Sequence, residues 1–350
     1  MVCLILHNFK INKFSLPLIK TLNIKGTLLK ERSGIIIELI DNEGYSGRGE
    51  ISPLPGFSRE TLCSAIIQTE KIKEKLLFSS IPVKGEALLD SLYLFTKNFN
   101  LFPSVVFGLE TAIINLISSK TGQSFHQFLS DSFNNKIYIN ALIDKLDSSV
   151  FSQFSYLYKS GYRTIKIKLG KNDPDVEIRM IKELNKVYRG KVKLRFDANA
   201  VWNYSEALYY IKSLKNIESL EYIEEPLKDT SLLMKLVRDT DAPIALDENL
   251  QSFYSNYPNY LNIINAFVLK PTILGGIRKT MQLVKLSEKI GAVCVISDTF
   301  QSGLGVNTLI NISSAIPHSG CTAMGLNTYT WLKNDIQGYK IIIKNGVVEL

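Results

Sequence analysis

From about residue 105 onward, short apolar β-type runs alternate with amphipathic helical runs at a period of roughly 25 residues. This alternation predicts βα units and a parallel sheet, because parallel neighbours require a helical crossover. The predicted strands are 137–143, 164–169, 193–198, 220–224, 244–247, 266–270, 292–297 and 322–326. So many parallel strands favour a closed barrel, and the glycine-rich fingerprints of dinucleotide-binding and P-loop folds are absent from the sequence.

The first part of the chain has a different sequence pattern, with alternating apolar segments, a turn at 41–44 and then helix-like stretches. We predict an α+β capping domain over residues 1–104, joined by the C-terminal segment 328–350, and a catalytic barrel over residues 105–327. The loop at 51–58 combines turn formers with apolar side chains, which predicts a lid or an interdomain contact.

Composition excludes several classes of protein. The apolar fraction of 45% argues against disorder, and no apolar run approaches the roughly 20 residues of a membrane span. The formal charge of +8 comes from dispersed lysines, which argues against nucleic-acid binding and favours a small anionic substrate. The first residues lack the pattern of a signal peptide, so the expected location is the cytoplasm.

Acidic residues stand at the C-terminal ends of three consecutive predicted strands, where barrel enzymes place their catalytic groups. The sequence reads D-A-N from 197, E-E-P from 224 and D-E-N from 247. Neighbouring carboxylates would repel one another, and a bound cation removes that conflict. We predict that Asp197, Glu224 and Asp247 bind Mg²⁺, for which Mn²⁺ can substitute. By strand alternation, Glu225 and Glu248 are expected to point away from the site.

Lysines occupy the ends of two further predicted strands. Lys166 and Lys168 lie two residues apart on one strand, so their side chains share a face. Lysine inside a barrel is costly unless it serves a site, and a neighbouring ammonium and a metal lower its pKa toward that of a general base. Lys270 ends a strand on the opposite side of the barrel axis. Two lysines that flank one substrate atom suit removal of a proton next to a carboxylate.

As a set, the K-x-K at 166–168, D-x-N at 197–199, E-E-P at 224–226, D-E at 247–248 and Lys270 resemble the motifs of the enolase superfamily, specifically its muconate-lactonizing subgroup. The resemblance spans nearly the whole chain. It implies an enolase-like modified TIM barrel, (β/α)7β, with an α+β N-terminal capping domain.

Residues 49–60 resemble the capping-loop signature of the o-succinylbenzoate synthases of menaquinone biosynthesis. Members of that family remove water, in syn geometry, from the anion 2-succinyl-6-hydroxy-2,4-cyclohexadiene-1-carboxylate. The resemblance implies that Lys168 is the base and can protonate the departing hydroxyl, that Lys270 offers its charge to the intermediate, and that Lys166 assists. It also implies a set of substrate-binding or supporting residues, namely Arg195, Asn199, Glu248, Ser302, Gly303, Phe57 and Ser58.

Two alternatives stay open. An N-acylamino acid racemase or a dipeptide epimerase would also use two opposed lysines, although the dipeptide epimerases usually carry a D-x-D where this chain has Gly325-Leu326-Asn327-Thr328. Gln301-Ser302 stands where many relatives have Glu-Ser. A non-catalytic metal-binding scaffold is disfavoured, because it has no use for Lys168 and Lys270. The sequence leaves the oligomeric state undetermined.

Overall fold

The computed structural model describes residues 2–77, 80–83, 88–317 and 320–350. In chain order, the strands are β1 (Val2–Ile24), β2 (Thr27–Asp41), β3 (Ser46–Ile51), β4 (Ser80–Val83), β5 (Lys136–Tyr138), β6 (Ala141–Ile143), β7 (Thr164–Lys168), β8 (Lys193–Asp197), β9 (Leu220–Glu224), β10 (Ile244–Leu246), β11 (Ile264–Leu269), β12 (Val293–Ile296) and β13 (Val347–Glu349). The α-helices are α1 (Leu62–Leu76), α2 (Leu88–Thr96), α3 (Pro103–Thr121), α4 (Val150–Lys159), α5 (Pro174–Tyr188), α6 (Tyr204–Leu214), α7 (Leu233–Thr240), α8 (Leu250–Asn256), α9 (Pro271–Leu274), α10 (Ile277–Ile290) and α11 (Gly303–Ser314).

The N-terminal part forms an antiparallel sheet in the order β3-β2-β1-β4. Strands β1 and β2 are joined through Lys25 and Gly26, which both have positive φ, as a tight hairpin turn of this kind requires. Helix α3 packs closely on β3. A Cβ atom at Gly49 would lie 1.9 Å from the carbonyl oxygen of Gly108, so only glycine allows this approach.

A parallel sheet of seven strands, in the order β6-β7-β8-β9-β10-β11-β12, makes the barrel wall among the described residues, with helical connections between the strands. The last predicted strand, 322–326, closes it through isolated parallel bridges of Met324 to Ile139 and of Gly325 to Ser297. The predicted fold class is confirmed. The prediction of one strand over 137–143 was wrong, because β5 leaves the barrel to pair with β13 and only β6 joins the wall.

Alternation along the barrel strands decides which side chains reach the axis. On β7, Ile165 and Ile167 are buried against the helical layer, whereas Lys166 and Lys168 alternate with them on the other face. Phe196 on β8 is likewise buried among apolar residues, between Arg195 and Asp197. Apolar burial on the outer face therefore fixes the charged residues on the inner face.

The limits of the two domains stay a prediction. Helix α3 begins at Pro103, so the boundary at 104 falls within its first turn. In the C-terminal segment, Leu332 bridges to Leu18 of β1, while β13 pairs with β5. No helix in the described ranges combines the length and the apolar character needed to cross a membrane.

Candidate active site

The mouth of the barrel brings the predicted lysines and carboxylates together. In the sheet register, Lys168 is paired with Asp197, and Asp197 with Glu224. The Nζ atom of Lys166 lies 2.8 Å from Oδ2 of Asp197 and 2.7 Å from Oε1 of Glu224. Lys270 forms an ion pair with Asp247. These charged residues thus lie together at the C-terminal ends of the strands.

Asn199 orients the carboxylate of Asp197. Its main-chain nitrogen and its Nδ2 donate to Oδ1 of Asp197 at 2.9 Å and 2.7 Å. Asn199 has a φ of 47°, in the left-handed region that asparagine tolerates better than most residues. The tight turn after β8 therefore holds one oxygen of Asp197, while Lys166 holds the other.

The lysines beside Glu224 and Asp247 do not outweigh the cost of burying these two carboxylates. Burial raises the pKa of both carboxyls, and neighbouring acids add to the effect, although Lys166 and Lys270 oppose it. The Oε2 atom of Glu224 is buried and has no hydrogen-bond partner among the described residues. A buried acceptor without a donor is costly, and a cation would satisfy it.

The described residues contain no ready-made metal site with three or more closely grouped acidic, histidine or cysteine ligands. Instead, the ammonium of Lys166 lies between Asp197 and Glu224. The donor set still fits a hard cation, because oxygen ligands on neighbouring strands and the unpartnered Oε2 of Glu224 are what Mg²⁺ prefers. The roles of Asp197, Glu224 and Asp247 as ligands stay a prediction.

The lysines of the mouth differ in their electrostatic surroundings. Burial works against the charge of Lys166 and of Lys270, but the acids around each outweigh it and raise both pKa values. Burial lowers the pKa of Lys168, and the charge of Lys166 adds to this against the attraction of Asp197. The side chain of Lys168 makes no hydrogen bond or ion pair with any residue that the structure describes, although its main chain is part of the sheet. It is therefore the lysine best able to accept a proton.

Glu248 does not point away from the site as strand alternation suggested. Strand β10 ends at Leu246, so the alternation stops before Glu248. Its carboxylate lies 3.3 Å from Nζ of Lys25, and its charge helps to raise the pKa of Lys270. Glu225 has a supporting role, because its carboxylate accepts from the main chain of Asp247 and from Asn249.

Residues 52–61, between β3 and α1, form the lid loop. Phe57 in this loop covers the mouth, with its ring centre 5.0 Å from Nζ of Lys270 and 4.0 Å from Nζ of Lys25. Ser58 instead closes the loop on itself, since its Oγ accepts from the main chain of Leu54 at 2.9 Å. Sequence reasoning missed Lys25. Its only signal was the Lys25-Gly26 hairpin turn, which does not reveal that the turn reaches the barrel.

Ser302 and Gly303 donate hydrogen bonds to carboxylates of the chain itself. The main chain and hydroxyl of Ser302 bind Glu50, and the main-chain nitrogen of Gly303 binds Asp335 at 2.9 Å. These donors of the two predicted substrate-binding or supporting residues are thus already paired within the chain. Gln301 is buried, and its side-chain oxygen accepts from the main chain of Thr299.

Arg195 lies inside the barrel and below the mouth. Its guanidinium binds Glu221 at 2.5 Å, the side chain of Asn140 at 3.1 Å and the carbonyl of Ala323 at 2.7 Å. Glu221 is the second residue of β9, and Asn140 immediately precedes β6, so both lie at the N-terminal end of the barrel strands. Arg195 therefore supports the barrel interior in this structure, and its predicted contact with substrate stays untested.

Comparison with known proteins agrees with the fold and the motifs. A family model described as "Enolase C-terminal domain-like" matches residues 152–350, and one described as "MenC, N-terminal domain" matches residues 6–116. The o-succinylbenzoate synthase of Vibrio cholerae (strain M66-2) is 30% identical over 310 residues, which cover 86% of this chain and 83% of that protein.

Relatives with a different activity are also similar. The L-Ala-D/L-Glu epimerase of Bacillus subtilis (strain 168) is 26% identical over 338 residues, covering 93% of this chain and 88% of that protein.

The crystal structure of MenC from Desulfotalea psychrophila LSv54 has a TM-score of 0.81 and 20% identity, covering 99% of each chain. The resemblance inferred from the motifs is confirmed. This chain is an enzyme that belongs to the enolase superfamily.

Proposed function

We propose that this enzyme is an o-succinylbenzoate synthase, which removes water from 2-succinyl-6-hydroxy-2,4-cyclohexadiene-1-carboxylate to give 2-succinylbenzoate in menaquinone biosynthesis. The observation that carries the proposal is the asymmetry of the two opposed lysines. Lys168 has no ion-pair partner among the described residues and a lowered pKa, whereas Lys270 is ion-paired and has a raised pKa. Dehydration needs one base, whereas racemisation through two lysines needs both to exchange protons.

The asymmetry does not depend on Asp247 alone. Glu248 also raises the pKa of Lys270, and the ring of Phe57 lies 5.0 Å from its Nζ. Negative charge and an aromatic face both favour an ammonium ion. Both contacts favour the charged form of Lys270 independently of its ion pair with Asp247.

The chain's own residues divide the reaction between them. Neutral Lys168 removes the proton next to the substrate carboxylate through its Nζ atom, and the resulting ammonium then protonates the departing hydroxyl on the same face. The carbon–hydrogen and carbon–oxygen bonds break, the ring becomes aromatic and water leaves. Lys270 stays charged on the opposite face and stabilises the added negative charge. Lys166 keeps Asp197 and Glu224 in place.

Asp197, Glu224 and Asp247 would hold Mg²⁺, with Mn²⁺ as a substitute. The bound ion would offset the negative charge of the substrate carboxylate as the proton leaves. Asn199 would fix the direction of the Asp197 carboxylate toward it, through the two hydrogen bonds to Oδ1.

An epimerase is the second candidate, because a named epimerase is 26% identical over most of this chain. The segment that would carry its D-x-D has no free acid here. The Oδ1 atom of Asn327 accepts from the hydroxyl of Tyr162 at 2.8 Å, and Thr328 bonds to Asp298. This segment offers no carboxylate at positions 325–328 for a substrate ammonium group.

The test is turnover of the cyclohexadiene substrate by the purified enzyme with Mg²⁺, followed by the loss of its ultraviolet absorbance. We expect conversion to 2-succinylbenzoate. The parallel assay is exchange of α-deuterium into N-succinyl amino acids. Exchange without dehydration would contradict the synthase assignment and support the racemase alternative.

A further inference from the structure

Arg32 is a fully buried cation outside the group at the barrel mouth. It lies on β2 with 1% of its surface exposed. Its Nε donates to the carbonyl of Phe300 at 3.1 Å, and its Nη1 and Nη2 donate to the carbonyls of Pro53 and Ser52 at 3.1 Å and 2.5 Å. Burial of a guanidinium is costly, and these bonds offset that cost.

The acceptors of Arg32 belong to two separate loops. Ser52 and Pro53 begin the lid loop, whereas Phe300 lies in the segment 297–302 between β12 and α11. Phe300 has a φ of 58°, a costly conformation for an aromatic residue, and its carbonyl is the one that faces Arg32. One side chain thus joins the lid loop of the capping domain to a loop at the barrel mouth.

Glu50 makes a second connection beside the first. Its carboxylate accepts from the main chain of Ser302 at 3.1 Å and from that of Gly305 at 3.1 Å, at the start of α11. Its charge also favours the ionised form of Arg32. Arg32 and Glu50 therefore lie on adjacent strands of the capping sheet, and each forms hydrogen bonds across the boundary to the barrel.

A tight turn connects Pro53 to Phe57 within the lid loop. The main-chain nitrogens of Phe57 and Ser58 donate to the carbonyl of Leu54 at 3.1 Å and 2.8 Å, and Ser58 Oγ accepts from Leu54 at 2.9 Å. With the turn closed in this way, displacement of Pro53 moves the ring of Phe57 with it. That ring covers Lys270.

We propose that Arg32 is a positioning residue, which anchors the lid loop to the loop after β12 so that Phe57 lies over Lys270. Its hydrogen bonds reach neither the lysines nor the carboxylates of the mouth, and it acts through the two loops that it joins. The effect on kinetics rests on the proposed synthase function, whereas the effect on the lid loop does not.

The test compares Arg32→Ala with Arg48→Ala. Arg48 lies on the adjacent strand β3 and pairs with Glu38 at the surface, so its loss removes an arginine without touching the lid loop. For Arg32→Ala we expect KM for the cyclohexadiene substrate to rise about 10-fold with a smaller change in kcat. We expect amide hydrogen exchange in the lid loop to accelerate about 10-fold, with the barrel strands unaffected. Millimolar guanidinium should partly restore KM.

Arg32→Lys serves if Arg32→Ala does not fold, because lysine keeps the charge but cannot donate to the three carbonyls as a planar fork does. Lid-loop exchange at the wild-type rate in the variant that folds would overturn the proposal, as would a KM equal to that of Arg48→Ala. The exchange measurement needs only the protein and Mg²⁺. A wild-type enzyme without synthase activity would therefore overturn the proposed function while the exchange result still decides the role of Arg32.

Discussion

Arg195 near the floor of the barrel and Glu224 at its mouth are both fully buried, yet their charges are satisfied very differently. The floor is the N-terminal end of the barrel strands. There, Arg195 binds Glu221, Asn140 and Ala323. Burial opposes ionisation of Glu221, but Arg195 and Lys193 outweigh it and keep its pKa below the ordinary value. Only Nη2 of Arg195 lacks a partner among the described residues at this end.

At the mouth, burial outweighs the nearby lysines in setting the pKa of two acids. Burial raises the pKa values of Glu224 and Asp247, and Oε2 of Glu224 has no hydrogen-bond partner in the part of the chain that the structure describes. Lys168 is half-buried, has no ion pair with any described residue, and has a lowered pKa. The charge of Arg195 at the floor is matched by Glu221, whereas at the mouth the ammonium of Lys168 and one carboxylate oxygen of Glu224 have no partner among the described residues. Perturbed and incompletely paired groups of this kind are typical of functional sites.

The largest effect is expected from Lys168→Ala, which removes the lysine that can accept a proton. Turnover of the cyclohexadiene substrate should fall by about 10³-fold, because general base catalysis is lost. The change should leave the circular dichroism spectrum unaltered. Lys279→Ala, at an exposed position on α10, is the control. Near-normal turnover by Lys168→Ala would show that the base is elsewhere.

A second effect concerns Mg²⁺ and pH. The raised pKa values of Glu224 and Asp247 mean that protons compete with the metal for these carboxylates, so Mg²⁺ affinity should rise as pH rises and fall as pH falls. Titration calorimetry at several pH values measures this, and chelation should abolish turnover. In Glu224→Gln the affinity should drop about 100-fold. Affinity that does not depend on pH would argue against these ligands.

Asn199→Ala should have a smaller effect at the mouth. Its side chain donates to Oδ1 of Asp197 at 2.7 Å, but the main-chain donor at 2.9 Å remains. Loss of such an orienting hydrogen bond should weaken Mg²⁺ binding about 10-fold. Calorimetry beside the wild-type enzyme measures the change, and wild-type affinity would remove Asn199 from the site.

Arg195→Met should have the smallest effect on chemistry and a clear effect on stability. Removal of one partner of a buried ion pair should lower the free energy of unfolding by about 2 kcal/mol, since Glu221 retains Lys193 at 3.1 Å. Urea unfolding measures this, and turnover per folded molecule should stay close to wild type. Lost turnover at unchanged stability would instead place Arg195 in contact with substrate.

The charged residues at the strand ends allowed much of the site to be predicted from the sequence. Because parallel barrel strands end at one mouth, the positions of Lys166, Asp197 and Glu224 in neighbouring strands sufficed to predict that they meet. The orientation of Glu248 could not be predicted, because it depends on β10 ending at Leu246. The split of β5 from β6 was equally hidden, since it depends on pairing with β13 near the end of the chain.

The sequence by itself determined the fold class, the family and the identity of the charged residues at the mouth, because local periodicity and strand-end motifs are encoded within short segments. The tertiary structure alone decided which partner each charge has. Ser302 and Gly303 are occupied by Glu50 and Asp335, and Lys25 reaches Glu248 from a distant hairpin. Such contacts arise from the packing of the capping sheet on the barrel, which no local pattern specifies.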